Sequence, residues 1–227
     1  MSQNRVSFWA GVRAEFPLLI AVFPFGMIYG VLALNAGLSP LAAQAMSAIV
    51  FAGSSQFITA KLVHDQVPGL VIALTIAVVN LRHMLYSASL APHLGSVSMR
   101  WKALLAYLLT DEAYAVAINE YDRNGVTPSS HWYLFGAGLA LWSTWQVSTL
   151  IGILLGATLP SNWPLDFALP LTFIALVIPA LKDRPAVAAA LSAGIIALAA
   201  YGLPYKLGLI LAAMVGIALG TFLEGRK

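Results

Sequence analysis

Three stretches of an otherwise apolar chain carry groups that could bind or move charge. Asn80-Leu81-Arg82-His83-Met84-Leu85-Tyr86 sets a permanent cation, an imidazole, a carboxamide and a phenol inside one long hydrophobic run. Gly53-Ser54-Ser55-Gln56 interrupts the run before it, and Thr110-Asp111-Glu112 the run after it. Arginine does not shed its proton in a protein. At membrane depth it must face a polar cavity, pair with a carboxylate, or snorkel to a headgroup. Asp111 is the partner that chemistry offers. Two adjacent carboxylates at depth repel if both are ionised, so at least one needs a proton or a cation beside it. Asp111 and Ala115 share one helical face, Glu112 and Asn119 another, so the two acids need not do the same work. Asp111 reads as a proton-coupling acid or as half of a fixed salt bridge, and Glu112 as a structural group. Asn80, His83 and Ser87 share a face, with Arg82 and Tyr86 on a neighbouring one. Small and polar residues in series at Gly53 to Gln56 can free backbone groups from helical pairing, which membrane depth tolerates only around a cavity or buried in protein. The alternative there is a regular helix whose serines and glutamine bond to neighbouring helices.

The elements that must position these groups are membrane helices. The 227 residues are 60% hydrophobic and 9% charged, with a mean hydropathy of +0.84. A soluble domain is roughly a quarter charged. The expected fold is all-α: a polytopic inner-membrane bundle of about seven or eight helices of ~20 residues, some of them broken. The formal charge of +3 is dispersed with no basic stripe, which speaks against a nucleic-acid partner. Cysteine is absent, excluding disulfides and thiolate metal sites. No metal set, cofactor motif or cleavable signal peptide is expected.

In order, residues 1–16 read as an amphipathic interfacial lead-in carrying Arg5, Arg13 and Glu15, followed by a single transmembrane domain over 17–227. Span one covers 17–34, with Pro24 and Gly26 interrupting it and a Gly26-x-x-x-Gly30 spacing suited to close helix packing. Ser39-Pro40 starts span two, 41–62, as N-cap and first helical residue. Span three covers 68–90 and span four 103–118, which puts Asp111 and Glu112 in mid-helix. The most polar loop, 120–130, precedes span five, 131–159, where Trp142, Trp145 and Gln146 line a pocket or serve packing. Spans six to eight cover 165–181, 186–203 and 204–223. With every span crossing and the N-terminus inside, Arg5, Arg13, Lys61, Arg123, Lys182, Arg184, Arg226 and Lys227 collect on the inner side. Arg100 and Lys102 then violate the positive-inside rule, unless span two or three does not fully cross.

The chain resembles the AzlC family, the YgaZ/BrnF-type large subunits of bacterial branched-chain amino acid exporters. The resemblance rests on Pro24-Phe25-Gly26 with Gly30, Phe51 to Phe57, Asn80 to Tyr86, Thr110-Asp111-Glu112, and a later stretch from Asp166-Phe167 through Pro179 to Pro185. It implies secondary export of leucine, isoleucine, valine and often methionine across the inner membrane, with a separate small AzlD-type membrane subunit as partner. Read as chemistry, a zwitterion needs donors for its carboxylate, an anion for its ammonium and an apolar pocket for its side chain. Gly53, Ser54, Ser55 and Gln56, with Asn80, His83 and Tyr86, are the expected substrate-binding residues; Asp111, Arg82 and Glu112 are the expected proton-coupling or ion-pair set. The other readings are a transporter or channel for another small metabolite, and an intramembrane serine hydrolase built on Gly53-Ser54-Ser55. A hydrolase needs a base within reach of the serine, and its pattern takes a histidine from a later helix, whereas His131 is the last histidine here.

Overall fold

The computed structural model describes residues 2–95, 97–158, 181, 183–202 and 207–225. Among these, every regular element is a helix: α1 (Gln3–Asn35), α2 (Pro40–Val50), α3 (Gly53–His64), α4 (Gly69–Leu90) with a 3-10 turn at Ala91–Leu94, α5 (Met99–Tyr107), α6 (Asp111–Asn124), α7 (Ser130–Gly156), α8 (Arg184–Ala199) and α9 (Leu207–Glu224). Three are long and apolar enough to cross a membrane: Gln3–Asn35, Gly69–Leu94 and Ser130–Gly156. The expected all-α membrane bundle is the fold. The chain divides into two compact units, Met1–Leu165 and Asp166–Lys227. In the second, α8 and α9 pack through small residues, with Gly216 and Gly220 against Ala189. The expected span six falls almost wholly outside the described residues.

The first unit is built on α1 and α7. The lead-in and span one are one continuous helix that passes through both Pro17 and Pro24, so the expected interruption at Pro24 and Gly26 does not occur. Contact with α7 along its length supports the helix where a proline removes one backbone bond. Gly26 and Gly30 do what close packing requires. A methyl on Gly30 would lie 2.5 Å from the Thr149 carbonyl oxygen, and one on Gly152 would collide with the Met27 carbonyl. Gly136 likewise rests on Phe8, and Gly11 on Tyr133. Residue numbers rise together along the seam, so α1 and α7 are parallel and start at the same end, where Ser7 donates to Ser129 at 2.8 Å.

Span two is broken, as the Gly53–Gln56 stretch suggests. Phe51 and Ala52 leave helical geometry (φ 12°, ψ 58° and φ −149°, ψ 96°), and α3 restarts at Gly53. The two arms lie side by side: Tyr29 of α1 donates to the Ala43 carbonyl of α2 at 2.9 Å and sets its ring edge-on to Phe57 of α3 at 6.1 Å. Touching one residue from both arms makes α2–α3 a hairpin that enters and returns, not a crossing span.

Span four departs from expectation in the same way. It is not one helix from 103 to 118 but two, α5 and α6, with the break at Leu108 to Thr110. Asp111 and Glu112 therefore stand in the first turn of α6, not mid-helix. The cause is local: the Thr110 hydroxyl caps the Ala113 amide, and two acids in the first turn suit the positive end of the helix. Trp101, near the start of α5, meets His131 and Trp132 at the start of α7 at 5.1 and 4.8 Å. Tyr121, near the end of α6, donates to the Ser130 carbonyl at 2.8 Å. Both outer ends of α5–α6 thus lie where α1 and α7 begin, and the pair is a second hairpin. The expected charge placement changes accordingly. Arg100, Lys102 and Arg123 share an end with Arg5, while Lys61, in the last turn of α3, belongs to the opposite end.

Helix α4 joins the two hairpins. Its first half runs antiparallel to α3, with Ser55 against Asn80 and Ser54 against Arg82. Its second half runs alongside α6, with Tyr86 stacked on Tyr114 at 4.8 Å and His93 beside Tyr121 at 5.6 Å. Leu90, Leu94, Leu105, Leu109, Ala113, Ala117, Tyr121 and Leu134 close a core around that second half.

Candidate functional site

The hairpin tips meet at mid-depth. Tyr107, the last residue of α5, donates to the Ala48 carbonyl of α2 and packs its ring 6.3 Å from Phe51, while Trp142 of α7 donates to the Tyr107 hydroxyl at 2.7 Å. On α7 the tips touch different levels. Leu108 lies against Gly138, where an added methyl would stand 2.9 Å from its Cβ, and Gly53 lies against Trp145, where a methyl would stand 3.0 Å from the indole. Seven residues separate those levels, about 10 Å of helix.

Arg82 bridges the tips. One guanidinium nitrogen, Nη2, donates to the Ser54 Oγ at 2.8 Å. Nη1 lies 3.7 Å from Asp111 Oδ2. The Nε–H is buried and has no hydrogen-bond partner among the described residues. The cation is thus spread across α3, α4 and α6, with one donor left over. Next to it Ser55, fully buried, donates to Asn80 Oδ1 at 2.6 Å. Gln56, also fully buried, accepts from the Trp145 indole N–H at 2.9 Å, and its amide nitrogen lies beside the Tyr29 hydroxyl without a bond of normal geometry. Trp145 is stacked on Tyr29 at 6.3 Å, so Tyr29, Gln56 and Trp145 form one buried wall.

Of the ten residues singled out by sequence, Gly53, Ser54, Ser55, Asn80, Arg82 and Asp111 come together around the guanidinium, with Gln56 one turn behind. His83 and Tyr86 do not reach the serines: His83 Nδ1 lies 3.3 Å from the Asn80 carbonyl of its own helix, and Tyr86 packs on Tyr114. Glu112 stays beside Asp111, and the charged group that reaches it from another helix is not a cation but Glu15 of α1. The expected structural ion pair for Glu112 is therefore absent among the described residues.

Glu15 is the residue that sequence reasoning placed wrongly. Read as part of an interfacial lead-in, it is 0% exposed, and neither carboxyl oxygen has a hydrogen-bond partner among the described residues. A signal was present: Phe8, Gly11 and Glu15 fall on one helical face, and the glycine there admits α7. Tyr29, Trp145 and Tyr107 also belong to the site. A further polar seam ties α2 to α7, with Gln44 donating to Gln146 Oε1 at 2.9 Å and Ser47 hydrogen-bonded to Thr149 at 3.0 Å. No group of three or more metal-ligating side chains occurs among the described residues.

Comparison with known proteins places this geometry in a family. The chain is 34% identical to an uncharacterized membrane protein of Archaeoglobus fulgidus, over 92% of each chain. It is 29% identical to the inner membrane protein YgaZ of Escherichia coli, over 94% of this chain and 88% of that one. To the branched-chain amino acid transport protein AzlC of Bacillus subtilis it is 26% identical, over 77% of this chain and 70% of that one. No solved structure matches. The family model for the AzlC protein matches residues 17–159, which covers most of the first unit and all of the hairpin site. The chain belongs to the AzlC family.

Proposed function

We propose that this chain is the large subunit of a secondary transporter that exports branched-chain amino acids (leucine, isoleucine and valine, with methionine) across the bacterial inner membrane. Export is proton-coupled, and a small AzlD-type membrane subunit completes the carrier. The observation that carries the reading is Arg82, held at mid-depth between the tips of two helical hairpins entered from opposite ends. Helix α3 begins there with no side-chain cap, so its first amides and the unpartnered Arg82 Nε–H are the donors offered to a substrate carboxylate. Asp111 meets the ammonium or the coupling proton from the other tip. The Tyr29–Trp145 wall is the apolar and aromatic surface on which a branched side chain can rest. The name of the Bacillus subtilis relative points to the same substrate class.

The orientation belongs to the same proposal. With the N-terminus cytoplasmic, Arg5, Arg100, Lys102 and Arg123 of the first unit face inward and Lys61 faces outward, as the positive-inside rule asks. Hydrolysis is disfavoured by the serines' own bonds. Ser54 accepts from Arg82 and Ser55 donates to Asn80, so a base is missing from both partnerships. A channel would show conductance in place of saturable, gradient-coupled flux.

The test is flux of labelled leucine from proteoliposomes driven by a pH gradient, with and without the small subunit. Saturable flux that follows the gradient and falls at least ~100-fold in Asp111→Asn is expected, the scale set by loss of a charge that other groups in the site depend on. Normal transport by Asp111→Asn removes Asp111 from the mechanism. Flux indifferent to the gradient makes the protein a uniporter or channel.

A further inference from the structure

We propose that Glu15 and Glu112 form a second, carboxyl–carboxyl site that takes up and releases the transported proton between the end of the unit where α1 begins and the Arg82–Asp111 pair. The inference rests on the transporter reading above.

The geometry is specific. Glu15 is wholly enclosed, and both of its oxygens lack hydrogen-bond partners among the described residues. A buried polar group without a partner is expensive, and a buried charge without one far more so. Helix α1 cannot roll Glu15 outward, because Gly11, one turn earlier on the same face, lies directly against the Tyr133 carbonyl of α7. The groups facing Glu15 are few among the described residues. Gly11 rests on α7 at Tyr133 and Ala137, and Leu108 rests on α7 at Gly138, so the first turn of α6, with Glu112, stands at the level of Glu15; from α7 comes the phenol of Tyr133. Helix α2 has no titratable residue, and those of α3, Lys61 and His64, stand in its last turn, with Lys61 paired to Asp65 at 2.8 Å. Arg13, two positions before Glu15, lies on a different face of α1. An isolated acid with no cation to hold it as a carboxylate is a proton carrier, not a structural tie.

Glu112 gives that proton somewhere to go. It stands in the first turn of α6 beside Asp111, which faces Arg82. The carboxyls of Glu15, Glu112 and Asp111 are thus a series leading from the α1–α7 seam to the guanidinium. The two carboxyls are not hydrogen-bonded to each other, so the step waits on a side-chain rotation that brings them into contact; the O–H bond of one then breaks as the other's forms, and the pair keeps one proton and one negative charge throughout. The positive end of α6 favours the moment at which the charge is on Glu112. Arg82 and Asp111 then sense the proton through their neighbour, without having to carry it.

Two measurements on the full chain with its small subunit decide the matter. In proteoliposomes, leucine counterflow at equal pH is compared with flux driven by a pH gradient, for wild type, Glu15→Gln, Glu15→Asp and Glu112→Gln. The ratio of driven flux to counterflow should fall at least ~10-fold in Glu15→Gln and partly recover in Glu15→Asp with a displaced pH profile. An unchanged ratio and pH profile, or equal loss of both fluxes, overturns the proposal; the second outcome marks Glu15 as merely structural. Infrared difference spectroscopy between about pH 5 and about pH 9 needs no substrate. A protonated-carboxyl band that titrates in wild type, vanishes in Glu15→Gln and shifts in Glu15→Asp supports the site. A band indifferent to both substitutions overturns it. If wild type moves no leucine, the substrate assignment fails, while the infrared titration still decides the proton site.

Discussion

The two hairpins are built for opposite charges. At the tip of α2–α3, helix α3 starts after Ala52, which offers no side-chain cap, and its first turn holds only glycine and hydroxyls. Its amides stay open, and the neighbours are donors: the Arg82 guanidinium and the Trp145 indole. At the tip of α5–α6 one of the first amides is already served. Thr110 caps Ala113, and the turn carries two carboxyls of its own. One tip offers an uncapped helix start beside donors, the other a capped turn that presents negative charge. Each break follows from its sequence: a series of small residues lets the backbone of the first open, and a capping hydroxyl followed by acids starts the second. On the proposed transport reading, one arginine serves both ends of a zwitterion, supporting an anion against α3 while balancing Asp111 of α6.

If the hairpins do return to the side they enter from, labelling should be all or none. The chain has no native cysteine, so single substitutions report cleanly. Arg100→Cys and Arg123→Cys should react with an impermeant thiol reagent from the same face of the membrane, and His64→Cys from the other. Opposite labelling of the first two would mean that α5–α6 crosses, which would end the comparison.

Arg82→Gln should have the next largest effect. It removes the cation that both tips share, leaving Asp111 without its partner, and transport should fall by roughly 100-fold or more. Arg82→Lys should not restore it, because a point ammonium cannot hold Ser54 and Asp111 at once as the planar fork does. Full activity in Arg82→Lys would show that only the charge matters. Filling the open tip is subtler. Ala52→Asp supplies the missing cap, and should stabilise α3 by about 0.5–2 kcal/mol while cutting transport roughly 10-fold, since its carboxylate would take the amides meant for substrate. Scanning fluorimetry and flux assays on one preparation read both. Increased stability with unimpaired flux would show that the α3 amides bind nothing.

Much of this arrangement was legible in the chain, and the failures have physical reasons. Membrane character follows from composition, and the polar stretches that converge on Arg82 follow from the expense of leaving such groups in lipid. Seam packing at Gly26 and Gly30 was visible as spacing. The break at Gly53 was foreseen, and the charge rule left open that span two does not fully cross; hydropathy could not decide it, since a hairpin and a crossing span have the same hydropathy, and only the contacts of Tyr29 with both arms separate them. Arg100 and Lys102 were the clue, since their violation of the charge rule disappears once α2–α3 is a hairpin. Thr110-Asp111-Glu112 is a helix start by residue type, hidden by the apolar residues on both sides. Glu15 was misplaced because charge near an apolar run resembles an interface, and its burial depends on α6 and α7, far along the chain.

The smallest expected effect tests whether the cap sets the second tip. Thr110 is buried, and its hydroxyl oxygen serves the Ala113 amide at 3.4 Å, a long bond. Thr110→Ala should therefore destabilise the protein by only about 1 kcal/mol, within the usual range for a lost cap. Thr110→Ser keeps the oxygen and should cost less. Asp111 offers a second acceptor one residue on, but it faces Arg82. If the alanine variant recruits Asp111 as a cap, the Arg82–Asp111 contact must loosen, and flux should drop by more than stability does. Parallel losses would mean that the cap only steadies the hairpin. Flux lost ahead of stability would mean that Thr110 frees Asp111 for the site, the job that the first tip, with no acid of its own, has no need to do.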